Sequence, residues 1–286
     1  MNAIILSAIW AVIMMLGSFM VKRKGNFRHI AAFGLLVLFV ANIADTYGYS
    51  LFNFNNHGFL QFTRFGYLFN SIAIFSSLIY VLITGKEISR YGNHTAEYFA
   101  LIFFVMCGVS MLAFYNNLLT LFLGIEIMTI PLYILTGSDK RNMKSNEAAL
   151  KYFLMGSFST GIMLMGIVFS YGGTGTFSLD VSRAGIPNLY NHVASFLEIV
   201  GLLLLLVSLA FKVSAAPFHF WTPDVYDGAP SVFTSFMATI VKAAGFIAFI
   251  KLCKLIFGKI NNGGVDFVVN YAVQKFSVCH NKSFLF

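Results

Sequence analysis

Charge is what this chain has least of: Asp, Glu, Lys and Arg together make up 10% of its 286 residues, against 58% apolar ones. Soluble domains carry about a quarter charged residues. A chain so poor in charge cannot cover itself with polar groups, and a mean hydropathy of +0.78 makes lipid its expected solvent. Cysteine is scarce as well. Cys107, Cys253 and Cys279 form no CxxC and no Cys/His pair at ligand spacing, which excludes a disulfide framework and a metal or redox centre built on thiols. Two of the three lie in apolar runs, where a thiol acts as a small hydrophobe. Nucleotide motifs are missing: "GGTGTF" lacks the lysine and spacing of a phosphate loop and follows an apolar run. The formal net charge of +8 comes with no basic, aromatic-interleaved patch on a polar segment, so nucleic acid is not expected as a partner.

What is there is a succession of long apolar runs. A helix needs about 20 apolar residues to cross the hydrocarbon of a bilayer, and such windows fall near 2–21, 29–49, 62–84, 97–115, 117–136, 148–171, 195–220 and 231–257. The expectation is an all-α polytopic bundle of about eight spans. The first run ends in Lys22, Arg23 and Lys24 rather than at a small-residue cleavage site, so it reads as a span and not a signal peptide. Lys22, Arg23, Lys24, Arg28, Lys86, Arg90, Lys140, Arg141 and Lys144 fall in loops 1–2, 3–4 and 5–6, whereas the opposite loops hold Arg64 and Arg183. That asymmetry puts the odd loops in the cytoplasm and the N-terminus outside, although Lys251, Lys254 and Lys259 weigh the other way. The longest stretch between spans, 172–192, reads as a loop.

Ionisable residues inside such runs cost roughly 2.5–3.5 kcal/mol each on insertion scales and tend to face protein or water. Glu126 sits within "LLTLFLGIEIMTIPLYIL", five residues before Pro131; it reads either as a titratable site inside the bundle or as a protonated acid hydrogen-bonded to a neighbouring helix. Lys242 is twelfth in a 27-residue run, too deep to snorkel comfortably, and reads as a pathway residue or as half of a structural ion pair. Lys212 precedes Pro217 by five residues. The proline ring faces the carbonyl of Val213 and deprives it of its donor, so a broken helix is expected beside the lysine; a helix end with a snorkelling lysine is the alternative. Lys151 stands one turn after Glu147, which an i,i+4 pair explains. His219 has the chemistry of a proton relay and equally that of a structural histidine beside Trp221. Asp45, Glu198 and Asp224 lie near span ends, where solvated or capping roles are expected. An acid and two amines can work as a proton switch: an ammonium beside a carboxylate keeps its proton, and one left alone in low dielectric gives it up.

"GIEIMTIPLYILTG" (124–137), "SNEAALKYFLMGSFSTGIMLMGIVFSYGGTG" (145–175) and "AFKVSAAPFHFWTPDVYDGAP" (210–230) resemble the antiporter-like membrane subunits of bacterial respiratory complex I. Within that family the "PDVYDGAP" ending is similar to the subunit N pattern, with Asp227 where that pattern has Glu. The resemblance implies an inverted-repeat fold with a broken helix near Lys212–Pro217. It also implies roles: Glu126 as the helix-five carboxylate, Lys212 as the broken-helix lysine, Lys242 as the helix-eight relay lysine, Lys151 as the helix-six lysine and His219 as a histidine of the helix seven–eight region. It further implies proton translocation coupled to quinone reduction elsewhere in the complex, other membrane-arm subunits as partners and a bacterial inner membrane location. No cofactor is expected in this chain, because NADH, flavin, iron–sulfur clusters and quinone belong to other subunits.

The expected organisation is N-terminal helices over 1–95, the first of two inverted five-helix repeats over 96–257, and an atypical tail over 258–286. Because the second repeat is not present after it, a C-terminally truncated, frame-shifted family chain is expected. Two rival readings share these residues: a subunit of a multisubunit cation/proton antiporter, and an inactive assembly fragment.

Overall fold

The structure is a computed structural model that describes residues 1–20, 27–49, 52, 57–88, 95–179 and 192–260, without the side chains of 18–20, 192–195 and 255–260. Lys22, Arg23, Lys24, Arg90, Arg183, Cys279, most of the 172–192 loop and nearly all of the 258–286 tail lie outside the described residues.

Its named elements are helices: α1 (Asn2–Met20), α2 (Phe27–Thr46), α3 (Arg64–Ile88), α4 (Thr95–Phe114), α5 (Leu118–Thr136), α6 (Met143–Thr174), α7 (His192–Val213), α8 (Trp221–Gly228), α9 (Ser231–Phe236), a π-helical turn (Met237–Val241) and α10 (Lys242–Ile260). Seven of the described segments, 27–46, 64–88, 95–114, 118–136, 143–174, 196–213 and 231–254, are long and apolar enough to cross a membrane; α1 is apolar over the shorter stretch Asn2–Gly17. The expected all-α bundle is therefore present. α4 is its hub, with 72% of its apolar window buried, and it packs against α1, α5, α3 and α10.

Small residues set the closest helix approaches, as in membrane bundles where lipid offers no hydrophobic penalty to drive association. A Cβ on Gly108 of α4 would lie 2.8 Å from the Gly124 carbonyl of α5, and one on Gly166 of α6 would lie 2.9 Å from the Gly201 carbonyl of α7. Buried serines tie the same α6–α7 pair: Ser208 donates to the Ser159 carbonyl at 2.8 Å, and Ser159 to the Ser208 carbonyl at 3.2 Å. Asp45 at the end of α2 accepts from the Met1 amine and the Asn2 amide, both at 3.0 Å. It caps the start of α1, a capping role exercised on another helix.

The expected break beside Lys212 is there, by a different route. α7 does not run on to 220 but ends at Val213. Ser214 takes a left-handed conformation with φ 59°; its N–H donates to the Phe211 carbonyl at 3.1 Å, and the Ala215 N–H donates to the Ala210 carbonyl at 2.9 Å. This bond pair is the Schellman closure of a helix C-terminus. Pro217 lies beyond it, after a cis Ala216–Pro217 bond, so the ring does not interrupt a running helix. Lys212 falls in the last turn of α7. The last expected span is also interrupted, by the π-helical turn that ends against Lys242. α5, by contrast, continues through Pro131.

Candidate functional site

Three elements meet around Lys212. Its ammonium donates to the Tyr133 hydroxyl of α5 and to the Gly156 carbonyl of α6, both at 3.5 Å. These are long contacts to neutral acceptors, and among the described residues no carboxylate lies within ion-pair distance of it. Gly156 is what allows the arrangement: a Cβ there would collide with the Tyr133 hydroxyl. Glu126 lies two helical turns before Tyr133 on the same face of α5. Its Oε1 is buried without a hydrogen-bond partner among the described residues. The structure thus sets Lys212 against the helix face that carries Glu126, through Tyr133, and no Glu126–Lys212 ion pair is formed.

Lys242 begins α10 directly after the π turn, with its ammonium 5.3 Å from the centre of the Tyr226 ring. That is within reach of a cation–π contact. π turns inside helices recur at functional sites, where the extra residue re-aims the side chains beyond it. The two lysines are joined by rings in contact. Tyr133 meets Tyr152 edge-on at 4.8 Å, Tyr152 stacks on Trp221 at 5.0 Å, and Trp221 meets Tyr226 edge-on at 6.5 Å. Trp221 also donates to the Phe211 carbonyl at 3.1 Å, beside Lys212. Tyr152 and Trp221 are buried.

The other two candidates lie apart. Lys151 is exposed and pairs with Glu147 at 2.8 Å, as the i,i+4 spacing leads one to expect, and with Asp224 of α8 at 2.7 Å. Lys144 pairs with Asp227 at 3.2 Å, and these charges line one open cleft with Ala148 and Gly228. His219 is exposed in the turn between α7 and α8. Its backbone carbonyl accepts from the Thr222 N–H at 3.0 Å.

Sequence reasoning passed over Tyr133, Tyr152, Tyr226 and Gly156. The signals were present: Tyr133 is seven residues after Glu126, and Tyr226 lies inside "PDVYDGAP".

The sequence profile described as "NADH:quinone oxidoreductase/Mrp antiporter, TM" matches residues 115–272, a stretch that holds every residue of this site. NADH-quinone oxidoreductase subunit N of Cytophaga hutchinsonii is 38% identical over 265 residues, covering 90% of this chain and 54% of the relative. The protein of the same name from Trichlorobacter lovleyi is 36% identical, covering 90% of this chain and 52% of that one. Among solved structures, a chain of respiratory complex I from Thermus thermophilus with bound aureothin superposes with a TM-score of 0.72 at 31% identity, over 88% of this chain and 53% of that one. The chain spans about half the length of the curated relatives it matches. The profile's reach across more than half the residues, with the shared fold, places the chain in the NADH:quinone oxidoreductase/Mrp antiporter transmembrane family.

Proposed function

We propose that this chain carries protons as part of a membrane-arm subunit of an NADH:quinone oxidoreductase, through a relay of Glu126, Lys212 and Lys242. One observation carries the reading: among the described residues the Lys212 ammonium, at a helix end, is held by a hydroxyl and a carbonyl at 3.5 Å, and a buried Glu126 oxygen on α5 has no hydrogen-bond partner. An amine so weakly held in low dielectric exchanges its proton when the acid moves toward it or away. Protonation passes on toward Lys242, whose π-turn backbone and aromatic seat give it freedom to move.

Lys151, locked to two carboxylates in an open cleft, fastens α8 to α6 and sets the position of Trp221 and Tyr226, which α8 carries. His219, exposed in the turn between α7 and α8, exchanges protons with the bulk. Quinone, NADH, flavin and iron–sulfur clusters are bound by partner subunits of the membrane and peripheral arms. The location is a bacterial inner membrane, with the N-terminus outside and the 137–142 and 214–230 turns facing the cytoplasm.

Inverted membrane vesicles carrying the assembled complex test this. Lys242→Ala removes NADH-driven acidification, followed with a ΔpH dye, and leaves sodium-driven proton exchange untouched. Loss of sodium-driven exchange alone would transfer the same residues to a cation/proton antiporter.

A further inference from the structure

Two buried side-chain oxygens without a hydrogen-bond partner among the described residues, Glu126 Oε1 and Thr129 Oγ1, lie three residues apart on α5. Buried polar atoms in native proteins are almost always satisfied, and an orphan marks a missing water, an ion or a chemical role. Thr129 is only 1% exposed, so bulk water does not serve it. Its state is also unusual among the helical threonines of this chain. Thr46, Thr84, Thr136, Thr160, Thr174 and Thr239 each donate to a carbonyl three or four residues earlier, the ordinary resting place of a helical threonine hydroxyl. Thr129 does not fold back. It stands beside the Tyr133 hydroxyl without a well-formed bond to it. Positions 126, 129 and 133 follow i, i+3, i+7 and share one helix face. That face ends at the Lys212 ammonium, through Tyr133.

We propose that Thr129 and Tyr133 hold one water molecule between the Glu126 carboxylate and the Lys212 ammonium, so that acid and amine exchange a proton through a hydroxyl and a water rather than as a direct pair. The proposal rests on the relay reading and adds two positioning residues to it. Donor accounting supports one direction of bonding. Lys212 donates to the Tyr133 oxygen, which leaves the tyrosine proton free to donate to the water; the water then donates to Glu126 Oε1 and to Thr129 Oγ1. A buried water commonly makes about three such bonds. Transfer along the chain breaks one N–H bond at Lys212 and forms one O–H bond on Glu126. The tyrosine and the water each give up one proton and receive another. An ammonium and a carboxylate become an amine and an acid, with no net charge moved out of the site.

The test is infrared difference spectroscopy of the full chain in lipid nanodiscs on a pH step, with Glu126→Gln assigning the carboxyl band. A water O–H band that shifts in H2(18)O, is lost in Thr129→Val and Tyr133→Phe, and survives in Thr129→Ser is the expected result. Circular dichroism establishes that each variant is folded, and either of the two band-loss variants suffices. A band unchanged in a folded Thr129→Val or Tyr133→Phe, or no isotope-sensitive band at all, overturns the proposal. The readout does not depend on pumping. If Lys212→Ala leaves NADH-driven pumping intact while the band behaves as expected, the water stands and the relay reading falls. If pumping is lost in Lys212→Ala but the band ignores Thr129, only the water falls.

Discussion

Two polar clusters among the described residues differ in how well they are satisfied. Between α2, α3 and α4, Asn42 donates to Ser71 at 2.7 Å, Asn70 donates to Asn42 at 2.8 Å, and Ser110 donates to Asn70 at 2.9 Å. All these bonds are short, all the groups are neutral, and Asn42, Asn70 and Ser110 are buried. Between α5, α6 and α7 the groups are charged, the bonds to Lys212 are 3.5 Å long, and a carboxylate oxygen and a threonine oxygen have no partner among the described residues. A closed neutral network is helix glue, since every bond must be broken for anything to move. An open charged one stores the opposite property, protons and side chains that change place at small cost.

The strongest way to break this contrast is Lys212→Ala. It is expected to lower NADH-driven proton flux in vesicles by at least about a hundredfold, the span of a lost acid–base group. The thermal midpoint in detergent is expected to stay level or rise, because the substitution removes a half-buried, poorly compensated charge. Asn70→Ala should do the reverse. It strands a buried Asn42 oxygen and the Ser110 hydroxyl, which costs about 2 kcal/mol, or roughly thirtyfold in the folding equilibrium. Proton flux per folded molecule should be unchanged. A Lys212→Ala protein with a clearly lowered thermal midpoint and normal pumping, or an Asn70→Ala protein that folds well and stops pumping, would exchange the two assignments.

How much of this could be read beforehand depends on what each feature is made from. The apolar spans were legible because hydropathy sums over about 20 neighbouring residues and needs no tertiary knowledge. The charges at 126, 212 and 242 were legible as anomalies within those sums. The end of α7 was found for an incomplete reason. Pro217 drew attention to the place, but the closure is made by Ser214 in a left-handed turn, a conformation that glycine signals and serine hides. The π turn before Lys242 has no sequence mark. Tyr133 was passed over because a tyrosine in an apolar run counts as a hydrophobe; its spacing from Glu126 was a signal, but its hydroxyl gains meaning only once Gly156, on another helix, leaves room for it. Half of the Lys151 environment was predictable from Glu147, one turn away. Asp224 was not, since it arrives from 73 residues along the chain.

Gly156→Ala sharpens the contrast from the backbone side. The added methyl displaces the Tyr133 hydroxyl and with it one of the two contacts of Lys212. Losing one hydrogen bond to a charged group, about 1.5 kcal/mol, lowers proton flux about tenfold, and Tyr133→Phe in the same background should add little, because the hydroxyl is already out of place. The smallest effect belongs to Lys151→Gln. Its ammonium is exposed and its two partners are solvated, and pairs of that kind contribute little. α8 also has a second hold on α6, for Gly228 packs so close that a Cβ there would lie 2.6 Å from the Lys144 carbonyl. Proton flux in Lys151→Gln should therefore stay within about twofold of the unaltered chain. A fall as deep as that of Lys212→Ala would mean that the cleft between α6 and α8 belongs to the open, charged cluster, as the entry to its path rather than as a fastening.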